Sequence, residues 1–273
     1  MEEAKKRKTT TTTTKNLGPE PPVKKKKKYL KPNVPSSVNA LRGRSAIMCT
    51  CSGRDERKAL GEAVDLVEAY VDKLYPREEK EEVVTLSIRE RLKQEAAALR
   101  SEQRVVPQDL ETQGVLYLTI EDPDVDVVKL AKTIVDDVAS GTPGSRLLIR
   151  MMPLATVCYA SLEEIRDAAK PLVARVFSDE KKSSYKVAIK RRNNSDFPRQ
   201  EAIETLAALV PEPHPVDLEN PDVTILVEVF KSIAGVSVVP GYAAHHDFNL
   251  RRIKECAIKT KSTPTPDDDD AAA

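Results

Sequence analysis

The chain has 273 residues, 40% of them hydrophobic, and carries 44 Lys and Arg against 43 Asp and Glu. That is enough apolar side chain for one or two domains with buried cores and no disulfide staples. No apolar run has the length of a membrane span and the start lacks the apolar stretch of a secretory signal, so an intracellular soluble protein is expected. The formal net charge of +1 conceals segregation, because a strongly basic start is balanced by a slightly acidic remainder.

Residues 1–44 read as a disordered tail of Lys, Thr and Pro with almost nothing to bury. The runs Lys5-Lys6-Arg7-Lys8 and Lys24 to Lys28 suit nuclear import or loose contact with nucleic acid. The nucleus is therefore the expected compartment, the nucleolus its first candidate subregion, with the cytoplasm as an additional location. Order is expected from Ser45, where Ile47, Cys49 and Cys51 alternate with small or polar neighbours as a short strand. Leu60, Ala63, Val64, Val67, Tyr70, Val71 and Leu74 then keep the period of one buried helical face, and Pro76 ends it. Residues 77–104 are dense in Glu, Lys and Arg and read as a solvent-facing helix or a partly ordered insertion. Val115 to Ile120 is predicted as a strand, followed by a helix carrying Val127, Val128, Ala131, Ile134, Val135 and Val138 inward. Residues 45–140 are thus expected to form a compact α+β module.

Gly141-Thr142-Pro143-Gly144 marks a turn at which a domain boundary is expected, with the second domain over residues 145–243 and an extension with an acidic tail over 244–273. The second half opens on a strand from Arg146 to Met152. Ser161 and Glu164 have the spacing of a capping box for a helix bearing Leu162, Ile165, Ala169, Leu172 and Val176. Pro171 removes an interior N–H, so a kink or two short helices meeting near Lys170 are expected.

The stretch Tyr185 to Val210 packs a strand, a charged turn and a helix into one unit. Tyr185, Val187 and Ile189 form an apolar face, whereas Lys186, Ala188, Lys190 and Arg192 point the other way. Arg191 to Asp196 is a turn, and Pro198 suits the first turn of a helix with Ala202, Ile203, Leu206, Ala207 and Val210 inward. Fixed cations where a strand meets a helix N-terminus suit a phosphate. The same lysines equally suit a solvated strand edge guarded against pairing. Val223 to Val229 is an apolar central strand with Val236 to Val239 as its neighbour.

Nine glycines leave no GxGxxG, no GxxxxGK[ST] and no acetyl-CoA loop, so no cofactor is expected and catalysis by this chain alone is not. Cys49, Cys51, Cys158 and Cys256 lack paired CxxC spacing, and His245-His246 has no third ligand at zinc spacing, which points to reduced thiols, an exposed loop and no metal. Glu228, inside an apolar run, reads as a satisfied or edge residue rather than a catalytic acid. From Arg146 to Arg199, Lys and Arg outnumber Asp and Glu by about two to one, so an anionic polymer is the natural ligand. With only 4% aromatic residues, its recognition would rest on backbone and shape.

Three blocks, LLIRMMPLATVCYASLEEI, AIKRRNNSDFPRQEAI and VDLENPDVTILVEVFKSIAGVSVV, resemble the consecutive blocks of a THUMP domain, in the version found in eukaryotic adaptors of the tRNA cytidine acetyltransferase. The resemblance covers about Leu147 to Tyr242, and the preceding module is similar to the ferredoxin-like domain that accompanies THUMP domains. It implies an α+β protein that binds the tRNA acceptor region and delivers tRNA to a separate acetyltransferase acting on a cytidine in the D arm. Residues carried over by motif are Arg150, Lys190, Arg191, Asn193, Asn194 and Lys231; Lys186, Arg192, Ser195 and Arg199 join them from the cationic strand and turn. The expected partners are thus tRNA and the acetyltransferase, with no membrane. Rival readings are an RNA-modifying enzyme, for which a catalytic domain of about 150 residues finds no room, and a ribosome-biogenesis scaffold.

Overall fold

The computed structural model describes residues 38–77, 103–110, 112–177 and 182–262. The two basic runs, nearly all of the charged insertion and the acidic end lie outside the described residues. The first half contains β1 (Ser45–Cys51), α1 (Glu56–Leu74), β2 (Val105–Gln108), β3 (Val115–Ile120), α2 (Val127–Ala139) and β4 (Leu148–Leu154). These strands form one antiparallel sheet in the order β2-β3-β1-β4, the ferredoxin-like βαββαβ arrangement. Val64, Val67 and Val71 of α1 and Leu130, Ile134 and Val138 of α2 are buried in its core. Asp126 caps α2, its Oδ1 accepting from the N–H groups of Val128 and Lys129 at 2.9 and 3.1 Å.

This sheet corrects three expectations. The Gly141–Gly144 turn does not separate the two sheets: it joins α2 to β4, and β4 completes the first sheet beside β1. The chain passes from one sheet to the other at Ala155, because a ferredoxin-like sheet needs its fourth strand against β1. Order also starts before Ser45. Val38–Leu41 form a 3-10 turn, Leu41 is buried in the core, and Gly43 and Arg44 exchange backbone hydrogen bonds with Val157. Finally, Arg104, the last residue of the charged segment, is buried rather than solvent-facing. Its guanidinium donates to Asp122 Oδ2 at 3.0 Å, Asp72 Oδ1 at 3.2 Å and the Tyr75 carbonyl at 2.7 Å, which brings the two ends of the insertion together.

The second half contains β5 (Thr156–Tyr159), α3 (Leu162–Val176), β6 (Tyr185–Arg192), α4 (Arg199–Ala207), β7 (Val223–Phe230), β8 (Ile233–Pro240) and α5 (Leu250–Ser262). Its sheet runs β5-β8-β7-β6, with β6 and β7 parallel and the other pairs antiparallel. All eight residues of β7 are buried, because both faces of the sheet are covered. Ile225, Val227 and Val229 join α3 and α4 in one core, whereas Leu226 and Phe230 join the core of the first sheet. Gly235 explains the close fit of the two sheets: a Cβ there would come within 2.6 Å of Leu154 Cδ1. Ser237 Oγ pins the same junction, accepting from Ala155 N–H and donating to the Pro153 carbonyl, both at 2.7 Å.

Ser161 caps α3 as its spacing predicts, but Glu164 returns its oxygen to the N–H of Tyr159 at 3.1 Å rather than to Ser161, and also pairs with Arg42. Two short helices meeting near Lys170 do not form: α3 is one helix with Pro171 inside it. Pro171 and Asp167, whose carbonyl loses its helical donor to the proline, both lie on the exposed face of the helix. Cys49, Cys51 and Cys158 are buried thiols and Cys256 is an exposed one. Among the described residues, no helix is long and apolar enough to cross a membrane.

Candidate nucleic-acid interface

The C-terminal end of β6 and the turn to α4 carry the densest set of the candidate residues. Asn193 adopts a left-handed backbone with φ 52°, which Asn tolerates better than most residues. Asn194 then holds the turn with both ends of its amide: Oδ1 accepts from Phe197 N–H at 3.0 Å, and Nδ2 donates to the Lys231 carbonyl at 2.8 Å. Phe197 is buried and anchors the loop in the second core. Arg191 folds over the turn and donates to the carbonyls of Ser195 and Phe197 at 2.9 and 3.0 Å. Arg199, in the first turn of α4, donates from Nε to the Ile189 carbonyl at 3.2 Å.

The β7–β8 hairpin turn sits against this loop. Lys231 is also left-handed, with φ 49°, and its N–H donates to the Arg192 carbonyl at 3.1 Å. Its ammonium reaches the first sheet, donating to the Leu110 carbonyl at 2.9 Å, while Asn193 Nδ2 lies 3.4 Å from Thr112 Oγ1. Arg191, Asn193, Asn194, Ser195, Asp196 and Lys231 together line an open depression of about 670 Å³. Backbone strain at two neighbouring non-glycine residues, held by side-chain hydrogen bonds, is a feature that clusters at binding sites.

The other candidates lie on a different surface. Period-two alternation turns Lys190 and Arg192 to the face opposite Arg191, so the four cations Lys186, Lys190, Arg191 and Arg192 do not form one face. Lys190 Nζ stands 4.0 Å from Glu228 Oε1, 3.9 Å from Asp247 Oδ2 and 3.3 Å from Tyr242 Oη. Arg192 Nε is 4.0 Å from Glu228 Oε2, and Arg150, brought in by β4 of the first sheet, has Nη1 4.0 Å from Asp247 Oδ2. Lys186 is half-buried on the same face, four residues earlier. Glu228 is not an edge residue: it is 2% exposed on the central strand β7, and among the described residues neither carboxylate oxygen has a hydrogen-bond partner. Burial pushes its carboxyl above the usual range despite Lys190, Arg192 and Arg150 nearby, and burial likewise lowers Lys190.

The ten candidates therefore fall into two groups on two faces of one sheet end. Arg191, Asn193, Asn194, Ser195 and Lys231 surround the depression, with Arg199 behind it, while Arg150, Lys190 and Arg192 ring Glu228, with Lys186 beyond them. Asp247 and Tyr242, and the loop holding Leu110 and Thr112, are additions that no local pattern marks. Their importance comes from chain segments remote in sequence.

The THUMP domain family model matches residues 159–239. THUMP domain-containing protein 1 of Mus musculus is 29% identical over 239 residues, which are 81% of this chain and 68% of that protein. The tRNA acetyltransferase TAN1 of Saccharomyces cerevisiae is 30% identical over 253 residues, 80% of this chain and 87% of that protein. Among solved structures, the solution structure of the THUMP domain of THUMP domain-containing protein 1 matches with 33% identity and a TM-score of 0.27, over 29% of this chain and 84% of that one.

Proposed function

The chain belongs to the Tan-type family of THUMP-domain proteins, of which TAN1 of Saccharomyces cerevisiae is a member, and on that footing we propose that it binds tRNA by the acceptor region and presents it to a separate acetyltransferase for acetylcytidine formation in the D arm. The observation that carries this reading is the convergence of cations and turn amides at one end of the second sheet: an open depression edged by Arg191 and Lys231, and on the other face Arg150 and Lys190 meeting at Asp247. Ammonium and guanidinium groups on a rigid sheet end suit phosphodiesters, whose contacts set affinity and orientation without reading sequence. The role is non-catalytic. TAN1 is named an acetyltransferase, but the present sequence has no acetyl-CoA loop, so the acetyl group is proposed to come from the partner enzyme. We also propose a nuclear location, chiefly nucleolar, with the cytoplasm as an additional site, a reading supported by the basic runs Lys5-Lys6-Arg7-Lys8 and Lys24 to Lys28.

Two measurements test this. Acetyl-CoA and unfractionated tRNA are incubated with the purified chain, with the cognate cytidine acetyltransferase, and with both together, and nucleosides are analysed. Acetylcytidine is expected only with both proteins. Its formation by the chain alone overturns the non-catalytic role, and its formation by the enzyme at the same rate without the chain overturns the adaptor.

A further inference from the structure

Where Arg150 of β4 meets Lys190 of β6, one carboxylate oxygen faces two cations from different sheets. Asp247 Oδ2 stands 4.0 Å from Arg150 Nη1 and 3.9 Å from Lys190 Nζ. Charged hydrogen bonds in full contact run to about 2.7–2.9 Å, so Asp247 offsets part of the pair's charge through two long ion pairs, without a close hydrogen bond to either member. The three side chains are 31–38% exposed, which leaves the position open to a ligand from solvent. Beneath them lie groups that have no hydrogen-bond partner among the described residues: both oxygens of the buried Glu228, and the buried Nε of Arg192. Among the described residues, the three cations Arg150, Lys190 and Arg192 thus meet two carboxylates here, Glu228 and Asp247, each at 3.9–4.0 Å.

Asp247 is carried on an unusual turn. His246, Asp247 and Phe248 have φ of 54°, 55° and 52°, three consecutive left-handed residues of which none is glycine. Such a run is costly for residues with a Cβ and persists only where the surroundings enforce it. They do so here. The Phe248 ring is fully buried, 5.1 Å from the ring of Tyr242; His245 Nε2 lies 3.2 Å from Asp136 Oδ1 on α2; and Asn249 forms a backbone bridge to Arg150. The turn is anchored on both sides of Asp247, while the Asp247 side chain itself is 38% exposed.

We propose that Arg150 and Lys190 form a phosphodiester-binding site that Asp247 occupies in the free protein, as a built-in competitor which an RNA phosphate displaces. The inference rests on the RNA-binding reading above and adds a second contact point, separate from the depression at Asn193 and Lys231. A phosphate between the two cations restores the negative charge that Asp247 removes when its side chain turns to solvent, and it can accept the direct hydrogen bonds that the carboxylate at 3.9–4.0 Å does not. The competition is also selective in effect, since a weakly held anion gains less from displacing Asp247 than a phosphate held at several points along a folded RNA.

The test is filter binding of unfractionated tRNA to the full chain at fixed moderate salt. Asp247→Asn removes the charge and keeps a residue that accepts the left-handed backbone. It is expected to tighten binding roughly two- to fivefold, the range of a partly exposed ion pair. In an Arg150→Gln, Lys190→Gln background the same substitution is expected to change nothing. Unchanged or weaker binding by Asp247→Asn overturns the proposal, and so does a gain that survives in that background, which would be a general charge effect. Asp247→Gly, also compatible with the turn, serves as a second variant if the first folds poorly. Wild-type binding without a gain in either variant overturns the proposal and leaves the RNA-binding reading standing, whereas no tRNA binding by any form overturns that reading itself.

Discussion

Lys190 and Glu228 lie at the same level of the parallel strands β6 and β7, yet their charged ends stand 4.0 Å apart with no hydrogen bond between them. A buried carboxylate with incomplete partners costs stability when ionised. Burial, the largest effect on Glu228, raises its folded-state pKa above the ordinary value of about 4.3. The folded chain then holds this proton more tightly than the unfolded one. Its contribution to stability is complete below the unfolded pKa and is lost as pH rises through the folded value. Glu228→Gln has nothing to titrate there. Urea melts of both proteins across the weakly acidic to neutral range should show the wild type losing stability relative to Glu228→Gln as pH rises. A difference that stays constant with pH would mean that Lys190 and Arg192 fully offset the burial.

The turn asparagines should separate by mechanism. Asn193→Gly should be nearly neutral, because glycine accepts the left-handed backbone freely, whereas Asn193→Ala should cost about 1 kcal/mol. Asn194→Ala loses the bonds to Phe197 N–H and the Lys231 carbonyl, and should cost about 1–3 kcal/mol, at about 0.5–1.5 kcal/mol for each bond. Denaturant melts give these values. Equal losses for Asn193→Gly and Asn193→Ala would show that the backbone angle is not what the position requires.

Salt dependence distinguishes real phosphate contacts from solvated cations. Replacing Arg150 and Lys190 together by Gln should flatten the slope of log K against log salt by about 1.5, each contact contributing roughly 0.7–0.9. Arg191→Ala should behave differently from a simple surface change. Its guanidinium bonds to the carbonyls of Ser195 and Phe197, so a loss of about 1–2 kcal/mol of stability should accompany any loss of affinity. tRNA titrations at several salt concentrations, beside a melt of each variant, read both quantities. An unchanged slope in the Arg150, Lys190 variant would leave that pair a guarded sheet edge.

The seam between the sheets should be sensitive to a single methyl group. Gly235→Ala places Cβ within 2.6–2.8 Å of three Leu154 carbons, and overpacking of this kind costs about 1–3 kcal/mol. Leu154→Ala in the same chain should recover part of that loss, giving a favourable coupling in a double-mutant cycle. Additive losses would indicate that the strain is relieved elsewhere.

Much of the fold was legible because local period and local chemistry agreed. The apolar stripes of α1 and α2 and the Ser161 cap of α3 each declare themselves within a few residues. The short strands β2 and β5 did not, since four residues carry too little period to be told from loop, and β2 contains Pro107. The continuity of α3 through Pro171 was likewise hidden: a proline's cost in a helix depends on whether the orphaned carbonyl faces water, and only packing decides that. The sheet change at Ala155 escaped because the glycine-rich turn before β4 is the stronger local signal, while the pairing of β4 with β1 is a contact across about a hundred residues of chain.

The sequence by itself determined the family blocks, the alternation that sends Lys190 and Arg192 one way and Tyr185 and Ile189 the other, and the turn chemistry of Asn193 and Asn194. These follow from residue type and spacing over short range. Only the tertiary structure decided that the cations form two groups instead of one, that Arg150 from the first sheet meets Lys190 from the second, and that Asp247 stands between them. Charge acts through space, and its partners here are brought together by the closure of two sheets over Gly235 and Ser237. No spacing along the chain encodes that approach, because it is fixed by the summed packing of both cores.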